Sequence, residues 1–298
     1  MASSASASGP QPLAFITPGI AIVTGASSGI GRATAIALSA AGWACVLSGR
    51  RADQLAETEK MIAAAVETSP KPLSVAGDLT EPGAPEALFD AAISAFGRVD
   101  LLFNNAGVAS PGGPIDEIDA PSFERLLKIN VTVPFICTSL AVKAMKQQNP
   151  QGGRIINNGS ISSMNPRPDS APYTLSKHAI TGLTKSTALD GRAFRIACSQ
   201  IDIGNAQSDL SAAASSAGHL QPSGQVVKEP MMDVRYAAHA VVYLASLPLD
   251  VNVLNQVRTS SLLAAHHTML TILLDFADHH GGKHALHRQR VDSSMPIS

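Results

Sequence analysis

Short apolar runs alternate with longer amphipathic segments from residue 20 to residue 201. The runs have the length of buried strands, and the segments repeat their apolar residues at helical spacing. This alternation is typical of βαβ units and predicts an α/β fold: a doubly wound, mainly parallel sheet with helices on both faces, Rossmann-like in architecture. The predicted strands are residues 20–24, 44–48, 73–76, 99–104, 154–158 and 195–201.

Helical periodicity fills the intervals between these runs. Gly42 and Gly97 directly follow two of the predicted helices and suit the left-handed position after a helix end. One more amphipathic stretch beyond the sixth strand predicts a last helix. The predicted helices are residues 31–41, 52–67, 85–96, 123–148, 173–190 and 233–247.

The chain beyond the sixth strand departs from this pattern. Residues 205–230 are rich in Ser, Ala, Gly and Gln, which predicts a mobile surface excursion able to act as a lid. Residues 258–298 hold six of the nine histidines and little periodicity, so we expect a poorly ordered tail. Within that tail only residues 268–274 are apolar and β-branched enough to form a seventh strand beside the sixth, and trimming after Leu274 should leave stability unchanged. The predicted organisation is a flexible leader (1–19), one domain (20–257) and the tail (258–298).

Composition narrows the function classes. Hydrophobic residues make up 45% of the chain and charged residues 15%, which is typical of a packed globular protein. The net charge of -1 provides no basic surface for nucleic acid, and no apolar run approaches the about 20 residues that cross a bilayer, so neither partner is expected. Cys45, Cys137 and Cys198 lie far apart, and we interpret them as buried free thiols. Free thiols and a leader without basic residues predict a cytoplasmic protein.

The turn after the first strand carries the first chemical signal, and it reads Thr24-Gly25-Ala26-Ser27-Ser28-Gly29-Ile30-Gly31. Its glycines allow the backbone to approach a pyrophosphate, whose charge would lie on the N–H groups of the helix start. A glycine-rich turn without a ligand is the alternative. The place between a strand and a helix favours the phosphate site.

A second signal is the pair Tyr173 and Lys177 at the start of a predicted helix. Four residues apart, they share a helix face, where an ammonium favours the phenolate and makes the tyrosine a proton donor and acceptor. Such pairs also occur by chance. Ser160 follows the strand 154–158, at the sheet edge where doubly wound folds bind ligands, so its hydroxyl can share a substrate oxygen with Tyr173. Ser162 and Ser163 are alternatives to Ser160.

Two asparagine signals complete the set. Asn104-Asn105-Ala106-Gly107 ends a predicted strand, and Asn130 interrupts an apolar helix. A turn and a satisfied buried amide are the structural alternatives for these residues.

Together these motifs resemble the short-chain dehydrogenase/reductase family, in its Tyr-x-x-x-Lys type with a single Rossmann-like domain, over residues 20–256. The resemblance implies reversible hydride transfer between a nicotinamide cofactor and a small carbonyl or alcohol substrate. It implies that Tyr173 exchanges the proton, Ser160 holds the substrate oxygen, Lys177 binds the nicotinamide ribose and favours the phenolate, and Asn130 anchors a proton-relay water. The implied cofactor site comprises Thr24, Gly25, Ser27, Ser28, Gly29, Ile30, Gly31, Arg50, Arg51, Asp78 (beside the adenine), Leu79, Asn105, Ala106, Gly107, Tyr173, Lys177 and Ile203.

Two features depart from the family pattern. After the sixth strand the family has Pro-Gly followed by Thr, whereas this chain has Ile203 and Gly204, with Ser208 as the next hydroxyl. Ile203 is carried over as a nicotinamide contact. The histidine-rich tail resembles no ending of the family.

The end of the second strand bears on the choice of cofactor. NAD-selective members carry an acid there for the ribose 2′-hydroxyl, and this chain has Gly49 followed by Arg50 and Arg51. A 2′-phosphate can pair with these arginines through charge-assisted hydrogen bonds. We therefore expect NADP(H) rather than NAD(H). The alternative is that both arginines are solvated residues of a helix start.

The sequence thus predicts a cytoplasmic NADP(H)-dependent oxidoreductase that forms a homodimer or homotetramer. One alternative is a catalytically impaired nucleotide-binding protein, because the C-terminal strand region is altered. Another is a metal site on His279, His280, His284 and His287. No Cys or carboxylate pattern accompanies these histidines, so no metal is expected.

Overall fold

The main sheet is doubly wound, and all of its strand pairs are parallel. The computed structural model describes residues 17–65, 69–109, 112–208 and 218–261, whose main sheet has the strand order β3-β2-β1-β4-β5-β6-β9. Because the order reverses at β1, the carboxyl ends of β1 and β4 open a crevice, the usual ligand site of such sheets. The strands are β1 (Ile20–Thr24), β2 (Ala44–Gly49), β3 (Leu73–Ala76), β4 (Leu101–Asn104), β5 (Gly153–Asn158), β6 (Ile196–Ile203) and β9 (Asn255–Arg258), with a separate antiparallel hairpin of β7 (His219–Leu220) and β8 (Val226–Val227).

Helices cover both faces of this sheet. Successive strand residues point to opposite faces, so Ile22 and Leu102 enter one apolar cluster while Val23 and Phe103 enter the other. Strands that are apolar on both faces are typical of a parallel sheet buried between two layers. The helices are α1 (Gly29–Ala40), α2 (Ala52–Ala65), α3 (Ala84–Phe96), α4 (Ala120–Leu127), α5 (Val133–Gln147), α6 (Ala171–Asp190) and α7 (Val234–Ser246).

The predicted α/β class and the first six strands are confirmed, with small shifts at the strand ends. Gly42 and Gly97 have φ angles of 91° and 77°, so both adopt the predicted left-handed conformation. The predicted helix 123–148 needs correction, because it begins at Ala120 and is interrupted by a π-helical segment, Lys128–Thr132. A single widened turn leaves most of the 3.6-residue periodicity in place, which is why the pattern did not reveal it.

The seventh strand is not where the sequence analysis placed it. β9 pairs in parallel with β6 and occupies the sheet edge predicted for residues 268–274. Those residues, like the rest of the tail after residue 261, lie outside the described part of the chain. Hydrophobicity missed β9 because Val257 is the one apolar residue in its sequence Asn-Gln-Val-Arg. The tail boundary predicted at residue 258 therefore falls inside the sheet.

A buried arginine fixes the segment that leads into β9. Arg154 on β5 is fully buried, and its Nη2 donates to three main-chain carbonyls of residues 247–251 at 2.9, 3.1 and 3.2 Å. Burial lowers the pKa of this guanidinium to about 10, so it stays charged at neutral pH. Asn252 donates to the carbonyl of Cys198 on β6 at 2.8 Å. The segment is therefore attached to β5 through its carbonyls and to β6 through the side chain of Asn252.

The three cysteines are free and buried, as predicted. Burial raises the pKa of each thiol to about 12. Because the thiolate is the reactive form, all three side chains act as inert packing groups at neutral pH.

The continuous helical stretch Ala120–Gln147 is long and apolar enough to cross a membrane, judged by length and composition alone. One such helix is weak evidence for a membrane span, since core helices pass the same test. In this fold the inward side of the stretch packs in the core through Cys137, Ala141 and Met145.

Candidate active site

The glycine-rich turn follows β1 and opens into the crevice. Gly25 and Gly29 have φ angles of 67° and 53°, left-handed values that other residues disfavour. A Cβ at Gly31 would collide with the carbonyl oxygen of Gly25 and with the side chain of Asn105. Ser28, the N-cap of α1, makes no side-chain cap to the helix. The turn thus leaves the positive end of α1 accessible to a phosphate group, which fits a dinucleotide.

Two asparagines tie this turn to the neighbouring strands. Asn105 Nδ2 donates to the carbonyl oxygen of Thr24 at 2.9 Å, and the Asn105 main-chain N–H donates to Thr24 Oγ1 at 2.9 Å. The N–H of Ala106 donates to the same hydroxyl oxygen at 3.0 Å. Asn105 Oδ1 accepts from Asn158 Nδ2 at 3.0 Å. The predicted residues Thr24, Asn105 and Ala106 therefore form one cluster, which Asn158 joins to the end of β5.

Arg51 lies at the mouth of the turn. Its Nη2 donates to Ser28 Oγ at 2.8 Å and to Ser27 Oγ at 3.3 Å. Gly49, at the end of β2, is close enough that a Cβ there would lie 3.3 Å from Ser27 Oγ. Gly49, where an NAD-selective member is expected to carry an acid, thus lies beside the turn. The guanidinium of Arg51 is bound to the serines of that turn.

Asp78 follows β3 at the same sheet edge. Its Oδ1 accepts the main-chain N–H and the hydroxyl of Thr80 at 2.9 and 2.8 Å, and the backbone bond is the main reason that the pKa of this carboxyl lies below its usual value. Arg50 Nη1 is 3.9 Å from Asp78 Oδ2, and the side chains are 68% and 39% exposed, so this ion pair contributes little stability. Leu79 packs against the core. A place for Asp78 beside an adenine stays a prediction.

The predicted catalytic pair begins α6. Lys177 Nζ lies 5.5 Å from the centroid of the Tyr173 ring, and Lys177 is only 8% exposed. The Lys177 ammonium donates to the carbonyl oxygen of Asn158 at 2.8 Å. Because Asn158 also binds Asn105, a continuous set of hydrogen bonds joins the lysine to the glycine-rich turn.

Asn130 lies inside the π-helical segment and is 2% exposed. Its Oδ1 accepts the N–H of Val108 at 2.9 Å, and its Nδ2 donates to the Val108 carbonyl at 2.9 Å and to Ser176 Oγ at 3.3 Å. A Cβ at Gly107 would lie 3.2 Å from Asn130 Oδ1. The amide is thus satisfied within the protein and joins α6 to the residues after β4. Its part in holding a relay water stays a prediction.

Ser160 caps the short 3₁₀ helix Ile161–Ser163, which packs against α6. Ser160 Oγ accepts the N–H of Ser162 at 3.1 Å, while its own proton makes no hydrogen bond to any described residue. Ser163 instead has its hydroxyl within hydrogen-bond distance of the Ser160 carbonyl, at 2.6 Å, and of Asp202 Oδ1, at 2.9 Å. This favours Ser160 over Ser163 as the donor to a substrate oxygen.

The chain departs from the family pattern from Ile203, the last residue of β6, to Ser208, the next hydroxyl. Ile203 is 6% exposed, and its side chain packs in the core. Its contact with a nicotinamide stays a prediction. Ser208 lies beside the glycine-rich turn, since a Cβ at Gly29 would be 3.1 Å from Ser208 Cβ. The chain after β6 therefore returns to the phosphate turn although the family's Pro and Thr are missing.

A charged cluster joins the loops that follow β5 and β6. Arg167 forms an ion pair with Glu229 and donates to Asn205 Oδ1 at 3.1 Å. Glu229 also accepts from Asn205 Nδ2 at 2.6 Å and from Gln221 Nε2 at 3.0 Å. The described part of the segment predicted as a lid thus contains the β7–β8 hairpin and is held to the loop after Ser160.

A cavity of about 630 Å³ opens between this loop, residues 113–115 and α6. Its lining includes Ile115, Pro166 and Leu175. Thr174, next to Tyr173 on α6, is also part of the lining. The cavity therefore lies beside the first turns of α6, which carry Tyr173.

Sequence reasoning did not single out Arg167, Glu229, Asn158 or Asp202 as individual residues. Arg167 and Glu229 lie in two polar loops that are 62 residues apart in the chain, and neither charge is informative alone. Asp202 did carry a signal, because it is a carboxylate in a strand whose residues are all buried. Such a residue needs hydrogen-bond donors from elsewhere in the fold.

The described residues contain no group of three or more His, Cys, Asp or Glu side chains that could hold a metal ion. The four tail histidines of the metal alternative lie outside those residues. That alternative therefore stays a hypothesis.

Comparison with known proteins defines the class. The family model of short chain dehydrogenases matches residues 19–218, and the chain belongs to this short-chain dehydrogenase/reductase family of oxidoreductases acting on CH–OH and C=O groups. A 3beta-hydroxysteroid dehydrogenase of Mediterraneibacter gnavus is 35% identical over 182 residues, which are 61% of this chain and 64% of that protein. The short chain dehydrogenase/reductase astE of Aspergillus oryzae is 31% identical over 76% of this chain and 87% of that protein.

Solved structures agree with this assignment. A variant of actinorhodin polyketide ketoreductase with NADPH has a TM-score of 0.73 at 25% identity, covering 82% of this chain and 97% of its own. The 3-ketoacyl-(acyl-carrier-protein) reductase of Brucella melitensis, complexed with NADH, shares the fold with a TM-score of 0.69 at 23% identity, covering 80% and 95%. NADPH is bound in the first of these neighbours and NADH in the second.

Proposed function

We propose that this chain is an NADP(H)-dependent oxidoreductase that transfers a hydride between the nicotinamide and a small carbonyl or alcohol substrate. The observation that carries the proposal is the hydrogen-bonded path Lys177–Asn158–Asn105–Thr24, which connects the catalytic helix to the glycine-rich turn. The bound nicotinamide supplies or accepts the hydride at its C4 carbon. Side chains of the chain itself transfer the proton and hold the substrate oxygen.

The chain's own residues handle the proton and the oxygen. In reduction, Tyr173 gives its phenolic proton to the carbonyl oxygen, and in oxidation it takes the proton back. Ser160 donates its unengaged hydroxyl proton to the same oxygen, which stabilises the charge that develops there. Lys177 is held at the end of β5, where its ammonium lies 5.5 Å from the centroid of the Tyr173 ring and can bind ribose hydroxyls.

The preference for NADP(H) is supported by charge at the end of β2. A 2′-phosphate placed near Gly49 meets Arg51, which already binds the two serine hydroxyls of the turn. Arg50 is 68% exposed on its side chain and only weakly paired with Asp78, so it can turn to the same phosphate. Bonds between a guanidinium and a phosphate are charge-assisted and frequently bidentate.

The substrate class is supported by the cavity and by the relatives. The cavity beside α6 is lined partly by apolar residues and suits a compact apolar body. The relatives include a 3beta-hydroxysteroid dehydrogenase and a cis-4-hydroxycyclohexanecarboxylate dehydrogenase, the latter 31% identical over 76% of this chain. We propose a secondary alcohol or ketone, with alicyclic ketones as the first compounds to test.

The test is turnover of a carbonyl panel by the purified chain, followed by loss of reduced cofactor absorbance. The panel holds cyclohexanone, 4-oxocyclohexanecarboxylate, a 3-ketosteroid and a simple aldehyde, each with NADPH and with NADH. We expect turnover that is lost in Tyr173→Phe, and a higher kcat/KM for NADPH than for NADH. Thermal stabilisation by NADPH without turnover on any compound would favour the impaired nucleotide-binding alternative. Equal kcat/KM for both cofactors would refute the NADP(H) preference.

We further propose a cytoplasmic homodimer or homotetramer. Buried free thiols support a reducing compartment. Phe135 on α5 and Leu189 on α6 are 60% and 59% exposed, and a partner that covered these large apolar side chains would gain hydrophobic burial. Light scattering after size-exclusion chromatography measures the assembly, and a monomeric mass at micromolar concentration would refute it.

A further inference from the structure

Asp202 is a fully buried carboxylate at the end of β6 that the proposed chemistry does not use. Its Oδ1 accepts the main-chain N–H of Ser160 at 2.8 Å and Gln200 Nε2 at 2.8 Å, and Ser163 Oγ lies 2.9 Å away. Its Oδ2 accepts Asn255 Nδ2 at 2.7 Å. Four donors from three different segments therefore converge on one side chain.

These hydrogen bonds alone compensate for the desolvation of Asp202, because it forms no ion pair with any Lys or Arg in the part of the chain that the structure describes. A buried carboxylate without a cation is costly unless its lone pairs are satisfied by donors. An apolar residue at this position would release that cost but leave the N–H of Ser160 without an acceptor. The buried carboxylate therefore serves to hold neighbouring groups in place.

What Asp202 holds is the backbone of Ser160. The Ser160 hydroxyl oxygen accepts the N–H of Ser162, so its proton points away from the 3₁₀ helix only while residue 160 keeps its extended conformation, with φ -168° and ψ 156°. The hydrogen bond from the Ser160 N–H to Asp202 Oδ1 fixes that backbone conformation. The Ser163 hydroxyl adds a second link between the same loop and the carboxylate.

The other oxygen of Asp202 reaches the edge of the sheet. Asn255 is the first residue of β9, the strand whose sequence has a single apolar residue. The carboxylate therefore connects the catalytic serine to the C-terminal edge strand through two bonds.

We propose that Asp202 is a positioning residue for Ser160, and that it makes the orientation of the catalytic hydroxyl depend on β9. This inference rests on the proposed function only for the role of Ser160. Ser160 meets the substrate oxygen, and Asp202 acts through Ser160 without touching the substrate.

The first test is a double-mutant cycle in the full-length enzyme, with NADPH and a ketone that the wild type reduces. Asp202→Ala should lower kcat by about 10- to 100-fold while the Kd for NADPH changes by less than about twofold. In a Ser160→Ala background the same substitution should lower kcat by less than about twofold, because no hydroxyl is left to position. Additive losses in the cycle, or a wild-type kcat in Asp202→Ala, would overturn the proposal.

A matched pair of variants covers the case in which Asp202→Ala does not fold. Asn255→Asp brings two carboxylates together and should lower kcat in the wild-type background but not in Ser160→Ala. The combination Asp202→Asn with Asn255→Asp exchanges donor and acceptor, and it should restore most of the lost kcat. A loss of kcat that is equal in both backgrounds, or no restoration by the exchanged pair, would contradict the proposal.

Hydrogen exchange of the Ser160 amide gives a readout without turnover. In the cofactor-free enzyme this amide should exchange slowly, and Asp202→Ala (or Asn255→Asp) should accelerate it while amides of β4 keep their rates. A wild type that reduces no ketone would refute the proposed function alone. Unchanged Ser160 exchange in the variant would refute the role of Asp202.

Discussion

The ammonium of Lys177 donates to the main-chain carbonyl of Asn158 at 2.8 Å, whereas the centroid of the Tyr173 ring lies 5.5 Å from the same nitrogen. The lysine is therefore anchored by the end of β5 and not by the tyrosine. Its charge is fixed beside the phenol in a site that is 8% exposed at Lys177, where screening by water is weak. The tyrosine keeps its hydroxyl available for the substrate.

Replacing Tyr173 by Phe should remove activity without removing cofactor. The substitution deletes the exchanging hydroxyl and almost no volume, so kcat should fall at least about 100-fold, the usual contribution of a general acid. The Kd for NADPH, measured by fluorescence titration, should stay within about twofold of wild type. Tyr243→Phe on α7, where the side chain is 47% exposed, is the matched control. A Tyr173→Phe enzyme with most of its kcat would end this assignment.

Replacing Arg51 by Ala should weaken NADPH selectively. The loss of one charge-assisted contact with the 2′-phosphate should raise the KM for NADPH about tenfold and leave that for NADH nearly unchanged. Arg50→Ala should act in the same direction with a smaller effect, because its side chain is 68% exposed. Arg235→Ala, which removes an arginine paired with Asp233 on α7, serves as control. An unchanged ratio of the two cofactor KM values in Arg51→Ala would contradict the assignment.

Replacing Glu229 by Gln should loosen the attachment of the β7–β8 hairpin to the loop of Arg167, which lines the cavity. Arg167 loses its charge partner, so we expect the KM for the ketone to rise by about three- to tenfold, with the Kd for NADPH unchanged. Exchanging the charges by Arg167→Glu with Glu229→Arg should recover part of the loss. Glu124→Gln, on the exposed side of α4, controls for charge alone. Steady-state kinetics measure both constants, and a ketone KM equal to that of wild type would show that the cluster does not shape the substrate site.

Replacing Arg154 by Met should destabilise the fold strongly. Three main-chain carbonyls lose their donor, at about 1 kcal/mol each, so the free energy of unfolding should fall by about 3 kcal/mol. For a domain of this size that corresponds to a Tm lower by about 6 to 12 °C. Arg195→Met removes an exposed arginine and should change the Tm by far less. Calorimetry measures both variants, and equal Tm values would show that the guanidinium is dispensable.

The buried thiols predict a pH dependence. Each has a pKa raised from 9.0 to about 12 in the folded state, so the unfolded state loses its thiol protons first as the pH rises. The stability that burial contributes is complete below pH 9 and is lost between pH 9 and 12. The Tm should fall across this range, and less steeply in a variant with all three cysteines replaced by Ala. Native enzyme should not react with a thiol reagent at pH 7, and fast labelling of any cysteine would contradict this.

The elements that local sequence determines were predictable. The apolar strands and the glycine-rich turn each depend on neighbours within a few residues, and so does the spacing of Tyr173 and Lys177. Placement of Ser160 followed from the rule that parallel sheets collect ligands at the carboxyl ends of their strands.

The contacts that join distant segments were not predictable. Arg154 binds carbonyls more than 90 residues away, and Glu229 meets Arg167 across 62 residues. β9 is polar in sequence because it lies at the sheet edge, where its side chains are mostly exposed. Its backbone pairs with β6, and Asn255 donates to Asp202, so the strand is held without an apolar face. No local pattern encodes these partners, since each depends on where the sheet brings the chain back.

The widened turn at Asn130 sets the phase of a long helix. A regular α-helix advances about 100° per residue, so an extra residue in one turn offsets the inward face of α4, which carries Leu126, from that of α5, which carries Cys137 and Ala141. Asn130 lies where the two phases meet and can therefore face Val108. Deleting one residue from Lys128–Thr132 would merge the phases, and either Asn130 or the apolar side of α5 would rotate out of place.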